Sequence, residues 1–489
     1  MNPIRSLVGQ TAIYGISSIV GRLLNFFLVP LYALQFTTAE YGQVTDLYTL
    51  TIFLLVILTY GMETALFRFL EKSKDKTAVG STAFTSLLIS AVIFLSVVWL
   101  WKTPIANALR YPDHTEYIVW FALILALDAI TAIPFAWLRA KERAARFAFV
   151  RLTNIGVNIG LNLFFILLCP WLYESGMGEI WLRVVYNPAI GVGYIFISNL
   201  VASAVSFLLL LPEIKKFKIS INPTLWRSML VYALPLLFAG FAGAINEAAD
   251  RQLLKYLLPE DEAFSQLGVY GACYKLSIFM TLFIQAFRYG AEPFFFSYFK
   301  NENARQVYAR IMDYFLLAMC IIFVGLNVFL EPIARVFLPN PAYREGLFVV
   351  PILLLANLFL GLYTYLSVWY KLSDQTKYGA YISLFGAFLT ILLNLWWIPL
   401  WGYAGAAWAT LAAYGAMMMI SYLLGQRKFP IPYKLQKNML LLAVSISIVV
   451  ISRFLWPGNM LFSAFVLAIF AAFVFWLEKP LFLALIKRK

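Results

Sequence analysis

The sequence predicts an all-α polytopic membrane protein with about fourteen transmembrane helices. Of its 489 residues, 62% are hydrophobic and only 13% are charged, and the mean hydropathy is +0.80. Soluble domains are typically about 45–50% apolar and about 25% charged, so the composition excludes a soluble enzyme and a disordered chain. Apolar runs near or above the ~20 residues that a helix needs to cross a bilayer recur along the whole chain.

These runs are predicted to be helices, because a helix satisfies its own backbone hydrogen bonds in lipid. In chain order, the predicted spans cover residues 10–35, 43–66, 82–101, 117–139, 147–173, 190–212, 225–256, 267–298, 307–331, 347–371, 378–400, 402–424, 437–456 and 459–478. The longest predicted outer loop, 174–189, is too short for a folded domain. The activity is therefore expected to lie within the bilayer.

The lysines and arginines predict the orientation of the spans. If the N-terminus is cytoplasmic, and residues near a span end are counted with the adjoining segment, 27 of the 38 basic residues belong to inner segments, 7 to outer segments and 4 to the interior of spans. This excess follows the positive-inside rule, so both termini are predicted to be cytoplasmic. The formal net charge of +14 is then explained by loops that contact anionic membrane lipids, and no nucleic-acid partner is expected.

The inventory of metal-binding residue types is small. Cys169, Cys273 and Cys320 lie inside apolar segments, where a cysteine packs as a small hydrophobic side chain, and the single histidine, His114, lies in a loop. No metal site and no histidine-based catalytic dyad in the membrane are expected.

The chain is predicted to contain two pseudo-symmetric six-helix lobes followed by two more helices. The N-lobe covers residues 1–212, a basic linker 213–226, the C-lobe 227–425 and the last two helices 426–489. Gly42 follows span one and Gly268 follows span seven, 226 residues apart, while Asn162 and Asn394 lie 232 apart in spans five and eleven. Duplicated bundles of this kind are typical of transporters, in which two halves rock about a central site.

Three segments carry a family resemblance. They are Asn394-Leu-Trp-Trp-Ile-Pro-Leu-Trp-Gly-Tyr-Ala-Gly-Ala-Ala-Trp-Ala-Thr410, Asp250-Arg-Gln-Leu-Leu-Lys-Tyr-Leu-Leu with Leu267-Gly-Val-Tyr-Gly-Ala-Cys-Tyr-Lys-Leu276, and Gly21-Arg-Leu-Leu-Asn-Phe-Phe with Pro30 and Glu40-Tyr-Gly42 beyond it. Over about residues 10–425 the chain resembles the polysaccharide repeat-unit flippases of the multidrug/oligosaccharidyl-lipid/polysaccharide exporter superfamily. The resemblance implies a central cavity between two lobes. It also implies that a polyprenyl-diphosphate-linked oligosaccharide, such as an O-antigen or capsule unit, is flipped to the outer leaflet of the bacterial inner membrane.

Ionisable side chains inside a membrane are costly and face a partner or a wet cavity. Arg22 lies near the middle of span one, and Asp128 near the middle of span four. A guanidinium keeps its charge and matches phosphate oxygens with its planar fork, so Arg22 is the first candidate to bind the diphosphate. The alternative is a structural ion pair between Arg22 and Asp128, and Asp128 is also a candidate for ion coupling.

A second group of charges lies at one predicted depth on spans seven and eight. Glu247 and Arg251 are one helical turn apart, Asp250 lies beside them, and Lys275 is on the next span. Their charges sum to zero, which suits a buried ion-pair network. They also suit a coupling site in which Glu247 or Asp250 exchanges its partner when H⁺ or Na⁺ binds, with Arg251 and Lys275 as candidates to bind substrate.

Arg288 and Glu292 repeat the one-turn spacing nearer the cytoplasmic end of span eight. Either Arg288 meets the incoming diphosphate, with Glu292 as a coupling candidate, or the two side chains neutralise each other.

Span five carries a stripe of amides, Asn154, Asn158 and Asn162, at i,i+4 spacing on one helix face. Amides can bind sugar hydroxyls in a wet cavity, and they can equally hold helices together. Both interpretations remain open at this point.

Other functions compete with the flippase. A drug exporter of the same superfamily and a flippase for a peptidoglycan precursor have the same architecture. A membrane glycosyltransferase, ligase or polymerase is the alternative from another class, but such enzymes generally need a sizeable loop with acid and base residues. We expect a non-enzymatic monomer without a cofactor other than a coupling ion, with polysaccharide assembly proteins as potential partners.

Overall fold

The structure is a computed structural model, and it describes residue 15 and residues 19–176, 184–455 and 459–477. Within these ranges the regular secondary structure is helical and contains no β-strand. The predicted fold class, an all-α polytopic membrane protein, is confirmed. Arg5, Arg183 and the basic residues of 479–489, which contribute to the predicted orientation, lie outside the described ranges.

Fifteen long helices within the described residues, numbered α1 to α15, account for the fourteen predicted spans. Their bounds are Ile19–Gln35, Thr38–Lys72, Lys76–Leu100, Thr115–Ala140, Ala144–Glu174, Gly193–Leu209, Pro223–Leu257, Glu260–Leu276, Ile278–Tyr298, Ala304–Val328, Pro341–Leu372, Lys377–Trp401, Tyr403–Lys428, Leu435–Leu455 and Met460–Leu477. Eleven are long and apolar enough to cross a membrane, and the bent pair α8 and α9 makes a twelfth span. The helices α1 and α6 are apolar but shorter than 18 residues. Short helices, Lys102–Ala108 and Leu330–Phe337, follow α3 and α10.

Several helices are interrupted where the sequence predicts a continuous span. Predicted span eight is bent by 46° at Ser277, between α8 and α9. Within α2 the chain turns at Tyr60 and Gly61, which have φ angles of 33° and 74°. A Cβ at Gly61 would lie 3.1 Å from the carbonyl oxygen of Ala233 on α7, so glycine allows both the turn and the close approach. In α5, Leu163–Leu168 forms a π-helical stretch, a local widening that is often found at functional sites.

Contacts divide the chain into two compact units, Met1–Gly268 and Val269–Lys489. In the first unit α4 is the most enclosed helix. Of the residues in its apolar 18-residue stretch, 72% are buried, compared with 39% for α3 and 22% for α2. In the second unit α11 has this position with 61% buried, and it packs on α13 and α10. The helices α4 and α11 correspond to the fourth and tenth predicted spans, which are equivalent positions in the two predicted six-helix lobes. The predicted lobe boundaries at 212, 226 and 425 stay a prediction.

The segment predicted as a linker, residues 213–226, lies against α3. After a helical turn at Leu211–Ile214, backbone amides of the segment donate to hydroxyl groups on α3. The three bonds are Lys218 to Ser81 at 3.0 Å, Ser220 to Thr85 at 3.1 Å and Asn222 to Thr82 at 3.3 Å. The hydroxyl groups of α3 thus accept hydrogen bonds from backbone N–H groups that have no partner within a helix of their own.

The hairpin of α12 and α13 depends on a glycine contact that can be tested. A Cβ at Gly405 would lie 2.2 Å from the carbonyl oxygen of Trp397. Since backbone cannot yield cheaply, Gly405→Ala is expected to lower the free energy of unfolding by about 1–3 kcal/mol, as overpacking does elsewhere. The thermal unfolding midpoint in detergent measures this loss. Gly160→Ala is the control, because a Cβ there meets nothing within 4 Å; equal losses from both variants would contradict the packing argument.

Candidate functional site

Arg22 is exposed on α1 and forms no hydrogen bond or ion pair within the part of the chain that the structure describes. A Cβ built on the neighbouring Gly21 would lie 2.6 Å from Cδ1 of Ile155, so α1 packs closely against α5 at this level. Asp128 accepts a hydrogen bond from Ser203 Oγ at 2.9 Å. The alternative ion pair between Arg22 and Asp128 is therefore not formed, and the guanidinium is left available to a ligand.

Asp128 lies on the central helix of the first unit among polar groups from three other helices. Ser203 of α6 is its hydrogen-bond donor, and Arg151 of α5 is close enough to interact with it electrostatically. Asn199 of α6 donates to the hydroxyl of Tyr48 on α2 at 3.0 Å. Among the described residues Asp128 forms no ion pair within 4.0 Å. An acid held by one hydroxyl group can change its protonation state without breaking a salt bridge, so Asp128 stays a coupling candidate.

The charges of α7 pair differently from the expectation. Arg251 Nε lies 3.3 Å from Oδ1 of the buried Asp250, and its guanidinium donates to the backbone carbonyl of Glu247. The side chains of Glu247 and Arg251, which one-turn spacing allows to pair, form no ion pair: Arg251 folds back on its neighbour Asp250, and Glu247 is exposed. Lys275 lies at the end of α8, on a different unit from Glu247, and the roles of these four residues stay predictions.

The alternative of a self-neutralised pair between Arg288 and Glu292 is wrong. Glu292 Oε1 accepts from Lys371 Nζ of α11 at 2.5 Å. Arg288 is exposed on α9, with its guanidinium 6.0 Å from the ring centroid of Tyr289, and it has no acidic partner among the described residues. The tertiary packing of α11 on α9 brings a lysine to Glu292 and leaves Arg288 available to an anion.

Two of the three amides of the α5 stripe are engaged by the protein itself. Asn154 donates to Ser206 Oγ at 2.9 Å, and the fully buried Asn162 accepts from the Tyr32 hydroxyl at 2.8 Å and donates to Asn158 Oδ1 at 3.1 Å. These bonds tie α5 to α6 and α1. Asn158 is half-buried, and within the described residues its amide nitrogen donates to no acceptor, so it is the member of the stripe with capacity left for a ligand.

One charge pair escaped the sequence analysis. Lys255, at the outer end of predicted span seven, is fully buried, and its Nζ lies 2.5 Å from Oδ2 of Asp46, which is 1% exposed. The signal for it was an aspartate within predicted span two that had no assigned role. Its lysine partner lies 209 residues away, so no local spacing could pair the two.

Groups of three or more histidine, cysteine, aspartate or glutamate residues able to hold a metal ion are absent from the described residues. Most acidic side chains within these helices are matched by a base or a donor: Asp46 by Lys255, Asp128 by Ser203, Asp250 by Arg251 and Glu292 by Lys371. Of the three arginines predicted to lie within the membrane, Arg251 pairs with Asp250, whereas Arg22 and Arg288 are exposed and have no acidic partner among the described residues. This arrangement suits recognition of an anion rather than acid–base chemistry on a bound substrate.

The comparison with protein families matches residues 7–299 to the family described as polysaccharide biosynthesis protein. This match covers more than half of the chain and includes α1 to α9. No curated protein has a sequence that matches the chain.

Solved structures share the fold at low sequence identity. The lipid II flippase MurJ in an inward closed conformation is 16% identical, with a TM-score of 0.72 over 95% of this chain and 99% of that one. An inward-facing multidrug resistance MATE transporter of the MOP superfamily is 12% identical, with a TM-score of 0.66 over 87% and 96%. A point mutant of the Vibrio cholerae MATE transporter VcmN is 14% identical, with a TM-score of 0.58 over 86% and 97%. The fold is thus that of multi-pass transporters and flippases.

Proposed function

The chain belongs to the polysaccharide biosynthesis protein family, and from that premise we propose that it is a flippase for lipid-linked sugar and not an enzyme. The cargo is a polyprenyl-diphosphate-linked oligosaccharide repeat unit of O-antigen or capsule type. It crosses from the cytoplasmic to the outer leaflet by alternating access. We place the protein in the bacterial inner membrane with both termini in the cytoplasm, in line with the distribution of its lysines and arginines.

The observation that carries the proposal is Arg22, an exposed guanidinium on the apolar helix α1 with no acidic partner among the described residues. A permanent cation in such a helix is costly unless water or an anion meets it. A diphosphate offers several charged oxygens, and an arginine fork binds them through charge-assisted hydrogen bonds. Arg288 of α9, which Glu292 does not neutralise, is the second candidate for diphosphate contact.

Sugar recognition is assigned to the α5 stripe, and within it chiefly to Asn158. Its amide nitrogen has no acceptor among the described residues, whereas Asn154 and Asn162 donate to protein oxygens. Asparagine amides can bond hydroxyl groups as donor and acceptor. The π-helical stretch that begins at Leu163 follows the stripe directly, and such stretches within α-helices are frequent at functional sites.

Ion coupling is assigned to Asp128. Its carboxylate is held by Ser203 and by no salt bridge within the described residues, while Asp250 and Glu292 are each paired with a base. Protonation or Na⁺ binding at Asp128 therefore needs no ion pair to break. Asp128→Asn is the variant that isolates this role.

Reconstituted protein tests the function directly. Proteoliposomes are expected to move a fluorescent polyprenyl-diphosphate oligosaccharide between leaflets, as measured by its accessibility to a reductant outside the vesicle, whereas protein-free vesicles do not. A proton or sodium gradient is expected to raise the rate, and Asp128→Asn is expected to remove that increase.

The same vesicles separate the alternatives. Movement of a peptidoglycan precursor but not of the oligosaccharide unit would reassign the cargo, and uptake of a cationic drug would favour an exporter. Formation of a new glycoside from an activated sugar donor would overturn the proposal in favour of an enzyme. A rate that is unchanged when all gradients are collapsed would remove the coupling role.

A further inference from the structure

A fully buried ion pair lies at one end of helices α2 and α7. Lys255 Nζ is 2.5 Å from Asp46 Oδ2; Tyr111 donates to the same oxygen at 2.8 Å, and Gln252 Nε2 donates to Oδ1 at 2.8 Å. We propose that these four side chains, called the outer latch below, hold the outward end of the protein closed and separate each time cargo is released to the outer leaflet. The inference rests on the proposed function, and its test includes a measurement that does not require transport.

The latch lies at the end of the helices that is predicted to face outward. The helix α2 begins at Thr38 and α7 ends at Leu257, while Tyr111 belongs to the connection between α3 and α4. Asp46 comes eight residues after the start of α2, or about 12 Å along the helix at 1.5 Å per residue. The excess of lysine and arginine in the opposite loops places this end outside.

A second layer covers the latch. Arg110 Nη1 donates to the backbone carbonyl of Lys255 at 2.6 Å, and its Nε lies 3.3 Å from Glu260 Oε1. Burial, followed by the negative charge of Asp46, raises the pKa of Tyr111 well above its ordinary value, so the hydroxyl keeps its proton and remains a donor to the carboxylate. The Asp46 carboxylate is thus compensated by one cation and two neutral donors.

The start of α8 crosses the start of α2 beside the latch with no space between the backbones. A Cβ at Gly42 would lie 1.9 Å from the carbonyl oxygen of Phe264, and a Cβ at Gly268 would lie 1.8 Å from that of Thr38. Thr38 and Ser265 share a hydrogen bond of 2.7 Å between their hydroxyls. The contact is reciprocal, because an offset of 226 residues carries Thr38 onto Phe264 and Gly42 onto Gly268.

The ion pair does not share this internal symmetry. At the same offset the position equivalent to Asp46 is Ala272, and the position equivalent to Lys255 is Val29. The pair joins one residue from each predicted repeat, and the equivalent pair of positions, Val29 and Ala272, has apolar side chains instead. A buried ion pair adds little stability over apolar residues of similar volume, so the fold alone does not explain it. Unlike an apolar contact, a charged contact can separate readily once water enters, as a latch that opens in every cycle requires.

Cysteine cross-linking tests whether the crossing must open. Thr38→Cys and Ser265→Cys are introduced together after the native cysteines are replaced by alanine; these are the buried Cys169, Cys273 and Cys320. Since the two hydroxyls are 2.7 Å apart, the thiols fall within reach of a disulfide. We expect oxidation to stop flipping and a reductant to restore it. Full flipping by the oxidised, cross-linked protein would overturn the inference, as would failure of the folded double-cysteine protein to cross-link.

The contribution of the ion pair is measured in the same background by the rate of cross-linking. Asp46→Ala combined with Lys255→Ala removes the contact without stranding a charge. We expect disulfide formation to slow by about tenfold in this variant, because a smaller fraction of the molecules then has a closed crossing at any moment. The matched control is Glu63→Gln with Arg139→Gln, a half-buried pair at the opposite end of α2 and α4 with a 2.7 Å contact. An unchanged rate in the latch variant, or an equal change in the control, would overturn the role of the pair.

Failure of the two proposals can be told apart. If the protein moves no oligosaccharide in any form, yet the latch variant slows cross-linking and the control does not, the latch stands and the assigned cargo is wrong. If flipping occurs and the oxidised protein flips as fast as the reduced one, the cargo stands and the latch is wrong.

Discussion

Arg22→Ala is expected to remove nearly all flipping of the oligosaccharide unit while the protein stays folded. The guanidinium is exposed on α1 and has no partner among the described residues, so its loss breaks no internal ion pair. Hydrogen bonds to charged groups contribute about 1.5–3 kcal/mol each. Losing them weakens diphosphate binding by about ten- to a hundredfold, since 1.4 kcal/mol corresponds to a factor of ten.

Conservative variants and controls define the role of Arg22. Arg22→Lys keeps the charge but not the planar fork, so it should retain part of the activity. Lys102→Ala is the matched control, because that lysine lies over the Trp99 ring at 5.3 Å in a short helix outside the proposed site. Vesicle flipping assays and the amount of folded protein are measured together. Arg22→Ala protein that flips at the wild-type rate would reject the assignment, and Arg288→Ala measured alongside shows whether the second arginine contributes.

Removing one partner of the Asp46–Lys255 pair is expected to cause the largest loss of stability. Lys255 is fully buried and Asp46 is 1% exposed, so either single alanine variant strands a charge away from water. Breaking a buried pair in this way costs about 3–5 kcal/mol. The thermal unfolding midpoint of the detergent-solubilised protein should fall accordingly for Asp46→Ala and for Lys255→Ala.

The double variant Asp46→Leu with Lys255→Met separates pairing from packing. Because apolar residues of similar volume often replace a buried pair without loss, we expect this variant to unfold close to the wild-type midpoint. Glu63→Gln, at a pair whose side chains are 37–38% exposed, should change stability by less than about 1 kcal/mol. If the single variants at the buried pair behave like Glu63→Gln, the charges are hydrated in solution.

Helix breaks show where sequence reasoning reached its limit. The fourteen apolar runs were visible because each must satisfy its backbone in lipid by itself. The sequence did not reveal three interruptions of these helices: the turn at Tyr60 and Gly61, the bend at Ser277 and the π-helical stretch after Asn162. These depend on which neighbouring helix lies against the backbone, as the approach of Ala233 to Gly61 illustrates, and periodicity along one segment carries no information about it.

The pairing of charged side chains was likewise decided by the packing of helices and not by spacing along the sequence. One-turn spacing suggested that Arg288 pairs with Glu292 and that Glu247 pairs with Arg251, but Lys371 and Asp250 take these positions. A charge pair within one helix contributes only about 0.2–0.5 kcal/mol. Contacts with a neighbouring helix can outweigh this small energy, and the charged side chain then pairs with a different residue. The buried partner of Asp46 lies 209 residues away and could be found only in three dimensions.

The amino-acid sequence by itself determined that this chain is a bundle of membrane helices and the order of its spans, because the hydrophobic length of a segment is a local property. The tertiary structure alone decided which charges are neutralised and which stay available, and it joined Asp46 to Lys255 in the interior. The reason is that an ion pair depends on the distance between two side chains. In a helical bundle that distance is set by how separate helices pack, and not by how far apart the residues stand in the chain.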